Sequence, residues 1–294
     1  MRLHQLACAV LVAAMPCGAD EPIPVVASFS ILGDMTARVG GDRITVTTLV
    51  GPDGDAHVLE PGPRDLRAVA GARVLIVNGL GFEGWMARLE QASGFAGVSV
   101  VASAGVRPLS LTLGQDDQAG ADPHAWQDVA NAETYVRNIA DGLARADPAR
   151  ASVYRANAAA YVDELRALDA EVRTTLAQIP ESARVLVTSH DAFRYFATAY
   201  AVRVLPTQGL GTESEPSAAD IARVITSIRA AGVRALFLEN ITDPRLLEQI
   251  ASETGAVLGG TLFSDSLSPK GGPADSYVAM MRHNASAIAA ALQE

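Results

Sequence analysis

The chain has 294 residues, of which 49% are hydrophobic and 19% are charged, a composition typical of a globular protein large enough for two lobes. Its formal net charge is −10 at pH 7, and no cluster of lysine or arginine interrupts this acidic balance. A nucleic-acid surface needs clustered cations to displace the counterions of phosphates, so nucleic acid is excluded as a partner.

The first 19 residues have the pattern of a cleavable export signal. Arg2 supplies the positive charge, residues 6–15 form an apolar stretch too short to span a bilayer, and small residues then allow cleavage before Asp20. The residues before Cys17 form a poor lipid-attachment motif, so we expect an unlipidated protein. Both cysteines lie in this segment, which leaves imidazole and carboxylate as the metal-ligand types of the mature chain. We therefore predict a periplasmic protein that does not span the membrane.

Short β-branched runs alternate with helical patterns along the mature chain. Strands are predicted at residues 24–28, 44–50, 73–77, 98–101, 184–188, 202–206, 235–238 and 256–261. Helices are predicted at residues 31–39, 63–70, 84–92, 192–199, 218–231, 244–254 and 277–292. Near-continuous apolar strands separated by helices are typical of parallel sheets covered on both faces. The pattern therefore predicts an α/β fold of two lobes, each with a roughly four-stranded parallel sheet flanked by helices.

Residues 148–180 are predicted to form one long rigid helix that joins the two lobes. Apolar side chains recur every three or four positions from Tyr154 to Leu176, and Pro148 and Pro180 suit a helix start and stop. About 30 helical residues would extend about 45 Å. We therefore expect an N-terminal lobe at residues 20–147 and a C-terminal lobe at 181–294, with a ligand cleft at the carboxyl ends of their strands.

Three of the five histidines fall at or near the ends of predicted strands or in loops, where such a cleft would be lined. His57 follows a strand and a tight turn, His124 lies between a polar loop and a helix, and His190 comes directly after the strand at 184–188. Neutral imidazole is the commonest zinc ligand, and three imidazoles plus one oxygen complete a tetrahedral shell. These histidines are therefore candidate metal ligands.

A carboxylate is expected as the fourth ligand. Asp265 lies just after the last predicted strand and is the natural oxygen donor. Glu239 ends the strand at 235–238 and is the alternative, either as a ligand or as a group that orients a histidine. His283 falls in the C-terminal amphipathic helix, and we interpret it as structural.

Several motifs, in order, resemble those of the metal-specific solute-binding proteins of ABC importers, the family of zinc and manganese receptors. They are Gly54-Asp55-Ala56-His57-Val58-Leu59-Glu60-Pro61, Asn78-Gly79-Leu80-Gly81-Phe82-Glu83-Gly84-Trp85, Asp122-Pro123-His124-Ala125-Trp126, Thr188-Ser189-His190-Asp191-Ala192-Phe193, and the segment around Asp265. The resemblance covers essentially the whole mature chain. It implies a buried cleft site and delivery of the metal to a membrane permease with a cytoplasmic ATPase. We also expect a monomer.

The chain departs from the family pattern at three places. Leu59 stands where an aromatic residue is often found, and Gln127-Asp128-Val129 replaces a Leu-Asp-Pro stretch, so the start of the next helix is expected to differ. The long His-rich loop of many zinc members is missing. The short acidic loop at residues 114–120 stands in its place, and we interpret it as a solvated surface loop rather than a gate or a metal contact.

The third ligand position indicates the metal. Manganese receptors of the family typically have glutamate there, whereas this chain has His190. Imidazole-rich tetrahedral sets favour Zn²⁺, so we predict Zn²⁺ as the transported ligand, with Mn²⁺ or Fe²⁺ as the alternative. Binding is expected to weaken as the pH falls through about 6, because the imidazoles must lose their protons to ligate.

A zinc-dependent hydrolase is the alternative from another class of protein, since three histidines and an open water position are also a catalytic set. No His-Glu-Xaa-Xaa-His motif is present, however, and Asp265 as a fourth ligand would leave no position for a reactive water. A receptor for an organic ligand would need an aromatic or basic pocket, and aromatic residues make up only 5% of the chain. We therefore expect a binding protein and not an enzyme.

Overall fold

The computed structural model describes residues 21–110, 120–212 and 217–293 of the chain. The expected export signal at residues 1–19 lies outside these ranges, and so does the predicted acidic loop apart from Gly120.

The first sheet contains four parallel strands in the order β2-β1-β3-β4. They are β1 (Ile23–Phe29), β2 (Ile44–Val50), β3 (Val74–Val77) and β4 (Val98–Val101). The central strands β1 and β3 are almost wholly buried, because helices cover both faces of the sheet. The helices between the strands are α1 (Ser30–Gly40), α2 (Pro63–Ala70) and α3 (Met86–Ser93).

Two helices follow the first sheet, α4 (Val129–Ala146) and α5 (Ala151–Ala177). Asp128 caps α4 by accepting a hydrogen bond from the Ala130 amide at 2.9 Å, so the helix begins just where the sequence departs from the family pattern. The long helix α5 has 27 residues and is shorter than the predicted 148–180 at both ends. Pro148 lies in a separate 3₁₀ turn, and α5 ends ahead of Pro180 because a residue that precedes proline disfavours helical geometry.

The second sheet repeats the topology of the first, with four parallel strands in the order β6-β5-β7-β8. Its strands are β5 (Val185–Thr188), β6 (Arg203–Pro206), β7 (Ala235–Glu239) and β8 (Val257–Leu262). Its helices are α6 (Arg194–Tyr200), α7 (Ala218–Ala231), α8 (Arg245–Thr254) and the C-terminal α9 (Tyr277–Gln293). The predicted fold class of two parallel four-stranded sheets flanked by helices is thereby confirmed.

The core is arranged around α5, which packs against α1, α4, α6 and α9. One large cluster of buried apolar side chains includes residues from both sheets, and a smaller cluster lies among α7, α8 and β7. The division into segments 20–147, 148–180 and 181–294 stays a prediction. None of the helices in the described ranges is both long enough and apolar enough to cross a membrane.

In each sheet the chain winds first to one side of its starting strand and then to the other. This reversal leaves a crevice at the carboxyl ends of β1 and β3 in one sheet and of β5 and β7 in the other, the usual location of ligands in open α/β sheets.

Candidate metal centre

The four predicted ligands lie together between the two sheets. The donor atoms of His57, His124, His190 and Asp265 are all within 4.8 Å of one another. Asp265 Oδ2 lies 3.1 Å from Nε2 of His57, 3.1 Å from Nε2 of His190 and 3.7 Å from Nε2 of His124. Three of these residues are completely buried, and the side chain of His57 is 6% exposed. Residues separated by up to 208 positions in sequence therefore converge on one point.

His57 lies beyond the end of β2, in a turn that is held through its backbone. The His57 amide donates to Asp55 Oδ1 at 2.9 Å. The indole Nε1 of Trp85 donates to the carbonyl of Ala56 at 2.8 Å, directly before the histidine. The rings of Phe82 and His57 pack in a T-shaped arrangement, with ring centroids 4.7 Å apart. The Asn78–Trp85 motif of the sequence therefore forms one wall of the site.

His124 is held by the carboxylate of Asp122 and by a buried network of hydrogen bonds. Asp122 Oδ1 accepts from the His124 amide at 2.9 Å and lies 2.9 Å from its Nδ1. Asn78 donates to the carbonyl of Pro123 at 2.9 Å, and it accepts a hydrogen bond of 2.6 Å from the Tyr135 hydroxyl. The carboxylate of Glu83 accepts a hydrogen bond of 2.6 Å from the backbone N–H of Asn78. With Nδ1 engaged by Asp122, Nε2 is the nitrogen that faces the centre.

His190 follows β5 and is supported by Glu239, the last residue of β7. The two strands are neighbours in the sheet, which brings the pair together. Glu239 Oε1 accepts from the His190 amide at 2.9 Å, and Oε2 lies 2.7 Å from its Nδ1. Glu239 is not among the converging donors, so of the two roles predicted for it, the geometry favours the one behind the histidine.

Asp265 lies beyond β8 and is held by the carbonyl that precedes it. Trp126 Nε1 and Gln127 Nε2 both donate to the Ser264 carbonyl, at 2.9 and 2.6 Å. Asp265 Oδ1 is completely buried, yet among the described residues it has no hydrogen-bond partner. A buried carboxylate oxygen without a partner is costly unless a cation or a donor occupies the space beside it.

Electrostatics make the cluster a place where protons and a metal compete. Burial lowers the pKa of His124, but the charges of Asp265 and Asp122 outweigh it and raise the pKa to about 9. Burial also lowers the pKa of His190, and Glu239 and Asp265 together raise it well above its usual range. Burial raises the pKa of Asp265, while His124 and His190 hold it well below its usual value. Without a metal, the cluster therefore binds protons on imidazole at neutral pH.

Sequence reasoning did not assign a role to Asp122, Trp85 or Trp126. One signal could have found the aspartates, since the spacing Asp-X-His occurs twice, at Asp55–His57 and at Asp122–His124. An aspartate two residues before another residue commonly accepts its backbone N–H. The indole contacts have no such local signal. His283 is structural, as predicted, because its Nε2 lies 2.9 Å from the Thr261 carbonyl, away from the cluster.

Comparisons with known proteins agree over almost the whole chain. The family described as zinc-uptake complex component A, periplasmic, matches residues 25–291. A manganese-binding lipoprotein of Halalkalibacterium halodurans is 34% identical over 286 residues, which cover 95% of this chain and 94% of that protein. An iron-binding protein of Yersinia pestis is 32% identical over 274 residues, which cover 93% of this chain and 88% of that protein.

A solved structure has the same fold over most of the chain. The periplasmic zinc-binding protein of Treponema pallidum superimposes with a TM-score of 0.87 at 29% identity, covering 93% of this chain and 100% of that one.

Proposed function

Because this chain belongs to the periplasmic zinc-uptake component A family of metal-binding substrate-binding proteins of ABC importers, we propose that it captures Zn²⁺ and delivers it to an ABC-type permease with a cytoplasmic ATPase. The family consists of substrate-binding proteins rather than enzymes, so the metal is cargo and the hydrolase alternative is set aside.

One observation carries the proposal: three imidazole nitrogens surround one carboxylate oxygen inside the protein. We take His57, His124, His190 and Asp265 as the ligands. A tetrahedral shell with bonds of about 2 Å places neighbouring donors about 3.3 Å apart. The distances of 3.1, 3.1 and 3.7 Å from Asp265 Oδ2 to the three Nε2 atoms fit that spacing. The unpartnered Asp265 Oδ1 fits a role in the same shell.

Zinc is supported over manganese and iron by the chemistry of the donors. Three imidazoles and one carboxylate make a nitrogen-rich tetrahedral set, whereas Mn²⁺ prefers a larger number of oxygen ligands. Carboxylates behind His124 and His190 also make these imidazoles better donors. The similar proteins are named for manganese, iron and zinc, so their names do not distinguish the cargo, and Mn²⁺ or Fe²⁺ is kept as the alternative.

Metal analysis of the protein isolated from its own export compartment, with no metal added, tests the cargo. We expect about one zinc per chain, and a matched preparation of His190→Ala should lose it. Manganese or iron at comparable stoichiometry, with zinc at trace level, would establish the alternative. Competition in vitro does not decide between them, because a site of this kind binds Zn²⁺ more tightly than Mn²⁺ whichever metal it carries in the cell.

We also propose that the protein is exported to the periplasm by a cleaved signal, without a lipid, and acts as a monomer. Several similar proteins are named as lipoproteins, so the form of the mature N-terminus is a real alternative. Intact-mass analysis of the mature protein should give a chain that begins near Asp20. A chain that begins at Cys17 with an added diacylglycerol would contradict this, and light scattering would report the oligomeric state.

A further inference from the structure

The two Asp-X-His segments of the site begin alike and end differently. In each one the aspartate accepts the backbone N–H of the histidine two residues later, at 2.9 Å. Asp122 uses the same oxygen, Oδ1, to reach Nδ1 of His124. Asp55 makes no hydrogen bond to the imidazole of His57. Its other oxygen, Oδ2, accepts a hydrogen bond of 2.5 Å from the hydroxyl of Thr212.

Thr212 approaches Asp55 from the opposite side of the cleft. Asp55 follows β2 of the first sheet, whereas Thr212 follows β6 of the second, 157 positions later in the chain. Both residues line a cavity of about 500 Å³, which Thr242 and Asp243 from the segment between β7 and α8 also line. A second hydrogen bond ties the same turn across the cleft, from Asn240 Nδ2 to Asp53 Oδ1 at 2.9 Å. The turn that carries His57 is therefore held by the other half of the molecule.

His57 depends on its backbone for its orientation more than the other two histidines do. Nδ1 of His124 is hydrogen-bonded to Asp122 Oδ1 at 2.9 Å, and Nδ1 of His190 is ion-paired with Glu239 Oε2 at 2.7 Å without hydrogen-bond geometry. Within the described ranges neither a hydrogen bond nor an ion pair reaches Nδ1 of His57, and this histidine is also the least buried of the three. Apart from the Phe82 ring and the other cluster residues, His57 is held by the amide bond to Asp55 and the Trp85 contact to Ala56, so a change at Asp55 alters the backbone that carries the imidazole.

We propose that Thr212 is a positioning residue that acts through Asp55 to hold His57 on the metal while the two halves are closed. The inference rests on the proposed function, since it takes His57 as a ligand. A hydroxyl that donates to a carboxylate makes a charge-assisted hydrogen bond, which is among the stronger kinds in proteins. When the halves separate, Thr212 leaves Asp55, the turn is released and His57 becomes the ligand that dissociates first. Thr212 thereby slows metal release from the closed protein.

Release of Co²⁺ to a chelator, followed by stopped-flow absorption, tests this step. Thr212→Val removes the hydroxyl and keeps the shape, and we expect release about tenfold faster. Thr212→Ser should restore slow release, because it keeps the hydroxyl. Thr226→Val is the matched control, since that hydroxyl donates only to Ala222 on the exposed face of α7, and its release rate should equal that of the unmodified protein. The visible Co²⁺ spectrum should stay that of a tetrahedral site throughout.

The decisive test is whether the effect of Thr212 on the release rate requires Asp55. In an Asp55→Ala background, Thr212→Val should add nothing to the release rate. A tenfold effect that persists there, or Thr212→Val and Thr212→Ala chains that release Co²⁺ at the unmodified rate, would overturn the inference. His57→Ala separates the two proposals: if it binds Co²⁺ as tightly as the unmodified protein, the ligand set itself is wrong, whereas weakened binding with no Thr212 effect removes only the role of Thr212.

Discussion

The histidines of the cluster differ in what holds the ring nitrogen that faces away from it. Nδ1 of His124 lies beside Asp122, and Nδ1 of His190 lies beside Glu239, at 2.9 and 2.7 Å. A carboxylate in this position fixes the tautomer of the ring and raises its basicity, so it strengthens the bond from Nε2 to a metal. With the proposed ligands, the affinity of the site is therefore divided between the residues that would bind the metal and the carboxylates behind them.

Substitution of Glu239 should weaken zinc binding without abolishing it. We expect Glu239→Gln to cost about 10- to 100-fold in affinity. His190→Ala should cost more than Glu239→Ala, because only the histidine provides a donor to the cluster. Glu248→Gln, on the exposed face of α8, is the control and should bind as the unmodified protein does. Calorimetry with a competing chelator measures all four, and equal losses for the two alanine variants would place Glu239 among the ligands.

Zinc affinity should continue to rise as the pH is increased well above 6, the pH near which free imidazole loses its proton. Although burial opposes it, the charges of Asp265 and Asp122 raise the pKa of His124 to about 9, and His190 shifts in the same direction. Both rings are therefore protonated in the metal-free cluster at neutral pH, and zinc must displace these protons. The affinity therefore still increases above neutral pH, by about tenfold per pH unit for each displaced proton. Calorimetry in buffers of different ionisation enthalpy counts the released protons, and a constant affinity from pH 9 to 6 would contradict this.

The segments that follow the strands owe their shape to the two tryptophans of the chain. Each indole donates to the carbonyl directly before a residue of the cluster: Trp85 to Ala56, before His57, and Trp126 to Ser264, before Asp265. The turn that delivers Trp85 needs Gly79, which has a φ of +86° and whose place leaves only 2.5 Å between an added Cβ and Val101. Loop position is thus set by side chains buried in the core.

The two tryptophans should differ in what their indole N–H contributes. Trp85→Phe leaves the Ala56 carbonyl without its donor, whereas after Trp126→Phe the Ser264 carbonyl keeps the Gln127 amide at 2.6 Å. Both changes remove similar volume from the core, so the difference between them isolates the unsatisfied carbonyl. We expect Trp85→Phe to lower the free energy of unfolding by about 1–3 kcal/mol more than Trp126→Phe does. Urea titration measures both, and equal losses would show that the indole hydrogen bonds contribute nothing distinct.

At the scale of the whole molecule, α5 is the element on which both sheets depend. It packs against α1 and α4, which precede it in sequence, and against α6 and α9, which follow it. Its buried face is part of the large core cluster. At 27 residues it extends about 40 Å. A helix packed along its length cannot act as a flexible tether, so any separation of the sheets must be small or must use the segments that flank the helix.

Truncation of the α5 core face should destabilise the molecule as one unit. Leu165 is completely buried in this face. We expect Leu165→Ala to reduce the free energy of unfolding by about 2–5 kcal/mol, with a single transition seen by both circular dichroism and tryptophan fluorescence. Ala167→Gln, at an exposed neighbouring position, is the control and should change it by about 0.5 kcal/mol or less. Two separate transitions in the Leu165 variant would mean that the halves unfold independently.

The sequence by itself determined the elements and the identity of the cluster. Apolar periodicity placed the strands and most of the helices within a few residues, because burial on one or two faces is a local pattern in the chain. It assigned no range to α4, which spans Val129–Ala146. The order of motifs singled out His57, His124, His190 and Asp265, because the chemistry of a metal ligand belongs to its residue type.

Only the tertiary structure decided how these residues are held. Glu239 lies behind His190 because β5 and β7 are neighbours in the sheet, an arrangement that no local pattern specifies. The part of the His124 pKa rise that comes from Asp265, and the contact from Thr212 to Asp55, are through-space effects between residues more than a hundred positions apart. Charge and burial act over a few ångströms, and folding alone determines which groups come within that distance.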